Sequence, residues 1–83
     1  MFDYSNLVGR RLTMEFDYSK LLGAMREKGV TQADVAKVAG VSETSLRSKL
    51  KNRTEFRDSE MLLIKKYLDL PNYEDYFFTL KLT

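Results

Sequence analysis

Residues 31–42 constrain the fold most, because they carry the start and stop signals of two short helices in close succession. Thr31 is suited to cap a helix start, and Asp34 at the third helical position completes a weaker form of the capping box. Gly40 can adopt the positive φ angle that ends a helix, and Ser42 can cap the next one. Two short helices joined by so tight a glycine-containing turn must cross steeply.

The spacing of apolar residues along the rest of the chain extends this pattern to four helices. They are expected at about residues 18–28, 32–39 and 43–51, with a fourth helix that is capped by Asp58 or Ser59 and ends near Leu68. Pro71 prevents continuation of the fourth helix, and residues 72–75 are expected to form a loop or a single helical turn. The pattern predicts a mainly α fold.

The two terminal segments, residues 11–16 and 76–83, alternate apolar and polar side chains, as half-buried strands do. Neither segment can satisfy its backbone alone, so we expect a small antiparallel pairing of the N- and C-terminal strands. The edges left by such a pair favour a homodimer through the terminal strands, and a monomeric cap is the alternative. Residues 1–15 are interpreted as an N-terminal extension, and residues 16–83 as the folded domain.

Composition argues against several classes of function. The 83-residue chain contains no cysteine and no histidine, so we expect no metal site of the usual kind and no nucleophile activated by histidine. The chain also lacks a glycine-rich phosphate loop and a spaced carboxylate motif. We therefore expect a protein that is not an enzyme and needs no cofactor and no small-molecule substrate. With no apolar run long enough for a bilayer and no secretory signal, we expect a cytoplasmic protein outside the membrane.

Positive charge is concentrated in residues 31–53. This stretch carries five cations and two anions, a net charge of +3, whereas the whole chain carries +2. The cations are Lys37, Arg47, Lys49, Lys51 and Arg53, and the anions are Asp34 and Glu43. Binding to a nucleic-acid backbone requires a basic stripe of this kind. Taken alone, a basic run is more often a solvated helix face, and its attachment to the two-helix pattern is what favours DNA.

The sequence Thr-Gln-Ala-Asp-Val-Ala of residues 31–36, followed by Gly-Val-Ser at residues 40–42, resembles the λ-repressor/Cro-like (XRE-type) helix-turn-helix family. Residues 16–83 as a whole are similar to small phage-encoded regulators of that family. The resemblance implies a four- to five-helix domain that binds operator DNA, often as a dimer. The chain departs from the family at Lys49, where members usually carry an apolar residue; here the apolar residue is Leu50.

The second helix of this pattern is the expected recognition helix. On a helical wheel Leu46 and Leu50 point to one side, and Thr44 and Ser48 point to the other. Short side chains let the backbone approach base edges in the major groove, where arginine pairs with guanine and a carboxylate accepts from cytosine. The predicted base contacts are Glu43, Thr44, Arg47 and Ser48. Glu43 has an equally good alternative interpretation as a favourable acid in the first turn of the helix.

A second set of residues is expected to hold the DNA backbone. Its members are polar or cationic and set the position of the protein on the duplex rather than its sequence preference. The predicted phosphate contacts are Gln32, Ser42, Lys49, Lys51, Asn52 and Arg53. Gln32 matches the phosphate-contacting glutamine of the family, and the helix N-terminus on which it lies favours an anion. Double-stranded DNA is therefore the expected partner.

A different class of function is a helical protein–protein interaction module, such as an antirepressor or adaptor, that retains the fold without DNA binding. Such a module would expose large apolar anchors on the second helix of the pattern. Thr44, Arg47, Ser48 and Lys51 are polar instead, which favours sequence-specific binding to double-stranded DNA by a transcriptional regulator.

Overall fold

Five helices follow one another in the structure, a computed structural model that describes residues 15–81. They are α1 (Ser19–Lys28), α2 (Gln32–Ala39), α3 (Glu43–Leu50), α4 (Asp58–Leu68) and α5 (Glu74–Phe77). The expected mainly helical fold is confirmed for this part of the chain. None of these helices is long and apolar enough to cross a membrane. Residues 1–14, which make up nearly all of the expected N-terminal extension and most of the predicted strand at residues 11–16, lie outside the described residues, as do residues 82 and 83 of the predicted C-terminal strand.

The first turns of α2 and α3 are stabilised by the predicted caps. The Thr31 hydroxyl accepts a hydrogen bond from the Asp34 N–H (3.1 Å), and the Asp34 carboxylate accepts one from the Thr31 N–H (2.9 Å). The Ser42 hydroxyl accepts a hydrogen bond from the Ser45 N–H (3.0 Å). These bonds satisfy backbone donors that a helix start leaves without an internal partner. Both caps are therefore confirmed.

The start of α4 differs from the prediction. Arg57 precedes the helix, and its N–H donates to the carboxylate of Glu60, three residues later (2.9 Å). Asp58 is already the first helical residue, so the helix begins at the residue that was expected to cap it. The reason is that a glutamate at the third helical position can reach back to the preceding N–H, which makes a short polar side chain at the cap unnecessary.

The helices α1 to α4 all end in the same left-handed turn. After each one, a residue with a positive φ angle and the residue that follows it both donate their N–H groups to carbonyls of the last turn, the Schellman arrangement. The residues with positive φ are Gly29 (69°), Gly40 (77°), Asn52 (64°) and Asp69 (56°). Glycine adopts this conformation freely, and asparagine and aspartate tolerate it better than other residues. Gly40 thereby forms the tight turn that joins α2 to α3.

The core is formed where α4 packs against α2 and against α1. Helix α2 packs against α3 and α4, and α1 packs against α4 and α5. The largest fully buried side chains come from all five helices: Leu21, Val35, Leu46, Ile64, Leu68 and Phe77. Edge-to-face contacts join Tyr18 to Phe56 and Phe56 to Phe77, with ring centroids 5.4 and 5.3 Å apart. Phe56 thus anchors the loop between α3 and α4 against Tyr18, just before α1, and Phe77 of α5.

Within residues 15–81 the terminal segments do not form the predicted strands. Residues 74–77 are helical, and the described residues contain no strand, only an isolated antiparallel bridge between Phe16 and Leu80. Two backbone hydrogen bonds flank this bridge, from the Asp17 N–H to the Thr79 carbonyl (2.7 Å) and from the Lys81 N–H to the Glu15 carbonyl (2.8 Å). The ends of the described chain therefore meet at one bridge and not along a ladder.

Burial of Phe77 explains why the predicted C-terminal strand is wrong. Asn72 accepts a hydrogen bond from the Asp75 N–H (2.9 Å), which starts a helical turn. The turn places Phe77 in the core with 1% of its surface exposed, whereas Phe78 and Leu80 are 46% and 52% exposed. A strand with the predicted alternation would have turned Phe78 and Leu80 inward and Phe77 outward. Tertiary packing of the ring overrides the local period of two.

Candidate nucleic-acid interface

Helix α3 turns a polar face away from the core. Leu46 is 1% exposed, while Glu43, Thr44 and Arg47 are exposed. Ser48 is half-buried where the following loop folds back onto the helix. Three of the four predicted base contacts therefore lie on one accessible face, and the fourth lies at its edge.

Lys49 does not belong to this face, which corrects its prediction as a phosphate contact. It is 8% exposed, its ammonium lies 3.2 Å from the carboxylate of Glu60, and it donates a hydrogen bond to the Glu55 carbonyl (3.1 Å). Together with Leu46 it forms the inward stripe of α3, and Leu50 is only half-buried. The wheel had put Leu50 in this inward position. Lys49 is tolerated there because the buried Glu60 neutralises its charge.

Glu43 and Arg47 are paired with each other in the free protein. The guanidinium of Arg47 lies 3.1 Å from the carboxylate of Glu43, one turn away, and each side chain is about half exposed. A pair of this kind on a helix surface contributes only about 0.3–0.5 kcal/mol. Either side chain can therefore exchange its partner for a base edge at little cost.

Polar groups lie just beyond the C-terminus of α3, just before its N-terminus and at the start of α2. Lys51 and Arg53 are exposed just beyond the C-terminus of α3. Gln32, half-buried, is the first residue of α2. Ser42 is exposed before α3; its oxygen caps the helix, and its hydroxyl hydrogen can still donate. These four predicted phosphate contacts remain available to a partner.

The start of α2 already carries one negative charge. The Thr31 N–H donates to the carboxylate of Asp34, and this hydrogen bond lowers the pKa of Asp34 below its ordinary value, with a smaller contribution from Lys37. Asp34 therefore stays ionised near neutral pH and complements the helix dipole.

Asn52 has a structural role that the sequence did not predict. Its side-chain amide is hydrogen-bonded to the backbone of Phe16, whose N–H and carbonyl lie 2.8 and 3.0 Å from the amide oxygen and nitrogen. The amide nitrogen has a second hydrogen that these bonds do not use, so the phosphate contact of Asn52 stays a prediction. The sequence carried a signal for the backbone conformation of Asn52, because asparagine after a helix end often takes the left-handed conformation.

The charge of the surface is lower than the sequence alone suggested. The exposed charged side chains between residues 31 and 53 are four cations and two anions, a net charge of +2, because Lys49 is buried. Lys37, Lys51 and Arg53 make no ion pair within residues 15–81. The same part of the chain holds no cluster of three or more residues able to bind a metal ion. The site is thus suited to binding an anionic surface.

The fold and this face define a small, mainly helical protein with a basic, polar surface on α3 and the loop that follows it. A family model matches residues 14–80, and its family is described as proteins of unknown function, DUF739. Since the match spans most of the chain, the protein belongs to the DUF739 family. No curated protein matches the chain.

Proposed function

We propose that this protein binds double-stranded DNA in a sequence-specific manner, with α3 as its recognition helix. The observation that carries the proposal is the exposed face of Glu43, Thr44 and Arg47 on a capped helix that is held at a tight turn against α2. In this arrangement the protein is a λ-repressor/Cro-like transcriptional regulator of a phage or prophage.

The proposed base contacts fit the chemistry of the major groove. Thr44 is short enough to let the helix backbone approach the bases, and Arg47 can pair with the O6 and N7 atoms of guanine. Glu43 can accept a hydrogen bond from the N4 amino group of cytosine once Arg47 leaves it. Ser48, at the edge of the face, extends the contact towards the C-terminal end of α3.

The proposed phosphate contacts lie on either side of these residues. Lys51 and Arg53 supply charge beyond the end of α3, Gln32 offers a side-chain amide at the start of α2, and the Ser42 hydroxyl can donate before α3. Contacts of this kind position the helix without reading sequence. They also make binding sensitive to salt, because each phosphate contact releases counterions.

Selection of bound duplexes from a random library, followed by salt titration on the enriched site, tests the proposal. Arg47→Ala should weaken binding to the enriched duplex about 10- to 100-fold and binding to a scrambled duplex much less. Lys66→Ala removes the same charge from the exposed surface of α4 and is the matched control. A selection that enriches no motif would refute the proposal, and so would equal binding at low and high salt.

We also propose that the protein works as a homodimer joined through its chain ends. Phe78 and Leu80 are large, apolar and about half exposed beside the bridge, so a second copy could cover them. A two-fold dimer would present two copies of α3 to half-sites about 34–36 Å apart. Sedimentation at tens of micromolar protein should show a dimer that Leu80→Glu dissociates. A monomer at that concentration would restrict the proposal to single-site binding.

A second candidate function, a protein–protein interaction module, is supported by one feature of α4. Leu62, Leu63 and Tyr67 are 43–46% exposed on this helix, which is a large apolar exposure for so small a domain. The two functions separate by mutation: Leu63→Glu should leave DNA affinity unchanged if α3 carries the activity. If Leu63→Glu abolishes the protein's effect on transcription in cells while Arg47→Ala does not, the protein is better described as a protein–protein interaction module.

A further inference from the structure

The side-chain amide of Asn52 links two distant parts of the backbone. Its Oδ1 accepts a hydrogen bond from the Phe16 N–H (2.8 Å), and its Nδ2 donates to the Phe16 carbonyl (3.0 Å). A donor and an acceptor arranged in this way imitate the backbone of a neighbouring strand. The loop after α3 is therefore joined to the extended segment that precedes α1.

The opposite side of the same segment carries the C-terminal tail. Successive residues of an extended chain direct their backbone polar groups to opposite sides. Glu15 and Asp17 accordingly bond to residues 79–81, while Phe16, between them, bonds to Asn52. Residues 15–17 thus lie between residues 79–81 and the Asn52 amide. They are hydrogen-bonded to the tail on one side and to Asn52 on the other.

Asn52 lies between the two exposed cations of the proposed interface, Lys51 and Arg53. The Asn52 N–H and the Arg53 N–H donate to the Lys49 and Ser48 carbonyls (3.1 and 2.9 Å), so the loop is fixed to α3 on its other side. We propose that Asn52 is a positioning residue that couples the geometry of Lys51 and Arg53 to the pairing of residues 15–17 with residues 79–81. The inference rests on the proposed DNA binding. A loop ordered before binding avoids the entropy loss of ordering it on the duplex.

Two glycine substitutions form a matched pair for the test. Asn52→Gly and Asp69→Gly both place glycine at a left-handed position, with native φ angles of 64° and 56°. Only Asn52 contributes a side chain that holds another segment, and Asp69 makes no side-chain hydrogen bond within the described residues. Asp69→Gly therefore measures what glycine does at a left-handed position by itself, and Asn52→Asp, which changes the amide without adding a glycine, tests the link at residue 52.

The first readout is amide hydrogen exchange in the free protein. Asn52→Gly should speed exchange of the Phe16 N–H, which loses its acceptor, and of the Arg53 N–H, each by at least about tenfold. Asp69→Gly should leave both rates unchanged. Asn52→Asp keeps the acceptor for the Phe16 N–H but loses the donor to its carbonyl, so it should be intermediate. It also provides a folded variant if Asn52→Gly proves unstable.

The second readout is the salt dependence of binding to a random-sequence duplex. Asn52→Gly should make the slope of log affinity against log salt shallower by about one to two units, the change also expected for Lys51→Ala combined with Arg53→Ala. Asp69→Gly should keep the parent slope. A slope that is unchanged in Asn52→Gly, or lowered equally in both variants, would overturn the positioning role.

The two readouts separate the possible failures. If the parent protein binds no duplex, the proposed function and the role of the two cations both fall. If exchange at Phe16 is unchanged in Asn52→Gly, the link itself is wrong even when the parent binds DNA.

Discussion

The ammonium of Lys49 in α3 and the carboxylate of Glu60 in α4 form a buried ion pair, 3.2 Å apart. Both groups have a second partner, since Lys49 donates to the Glu55 carbonyl and Glu60 accepts from the Arg57 N–H. The pair therefore links the two ends of the loop between the helices and holds the end of α3 against the start of α4. Desolvation makes such a pair costly to break and of small net benefit to form.

Removing one partner should destabilise the fold strongly. Lys49→Met leaves the Glu60 carboxylate buried without its counter-charge, and we expect a loss of about 3 kcal/mol in the free energy of unfolding. Adding Glu60→Gln, which retains an acceptor for the Arg57 N–H, should recover most of this loss. Urea denaturation measures both values. A double variant no more stable than Lys49→Met would show that the ion pair is not the cause.

The same substitution, glycine to alanine, should have opposite effects at two positions. Gly23 lies inside α1, and a Cβ atom there would meet nothing within 4 Å, so Gly23→Ala should stabilise by about 0.5–1 kcal/mol. At Gly40 the space is equally open, but φ is +77°, so Gly40→Ala should cost about 1–2 kcal/mol. Thermal unfolding of the two variants side by side provides the check. A shift of the same sign in both would contradict the assigned turn.

Stability should depend on the ionisation of Asp34 in acid. Hydrogen bonding from Thr31 lowers the folded-state pKa of Asp34, so its contribution is complete above the ordinary carboxyl pKa. It is lost as the pH falls below about 4 and through the lowered pKa. Asp34→Asn should therefore be less stable than the parent at pH 7, and the difference should vanish in strong acid. Melting temperatures of both proteins across this range test the sign, and a constant difference would refute the linkage.

Freeing Arg47 from its partner should strengthen non-specific binding to DNA. Glu43→Gln removes the carboxylate that lies 3.1 Å from the Arg47 guanidinium and also removes a negative charge that would face the duplex. We expect tighter binding to scrambled duplexes and a smaller ratio between the enriched and scrambled sites. Binding titrations on both duplexes measure this ratio. A larger ratio in Glu43→Gln would mean that Glu43 contacts no base.

The local elements of this fold were largely predictable from the sequence. Thr31, Ser42 and Gly40 act within a few residues of their own positions, through a capping hydrogen bond or a permitted φ angle, so the bounds of α2 and the start of α3 followed directly. The exposed face of Thr44 and Arg47 followed from the position of Leu46 on the same helix. Interactions between neighbours in sequence need no knowledge of the rest of the chain.

Contacts between distant residues were decided only by the tertiary structure. The sequence shows no link between Lys49 and Glu60, or between Asn52 and Phe16, 36 positions apart. It also could not weigh the burial of Phe77 against the alternation of residues 76–83. Helix caps and turns are set by hydrogen bonds that close over three or four residues. Which lysine is buried, which amide is occupied and where a terminal segment turns helical depend on how all five helices fill one core.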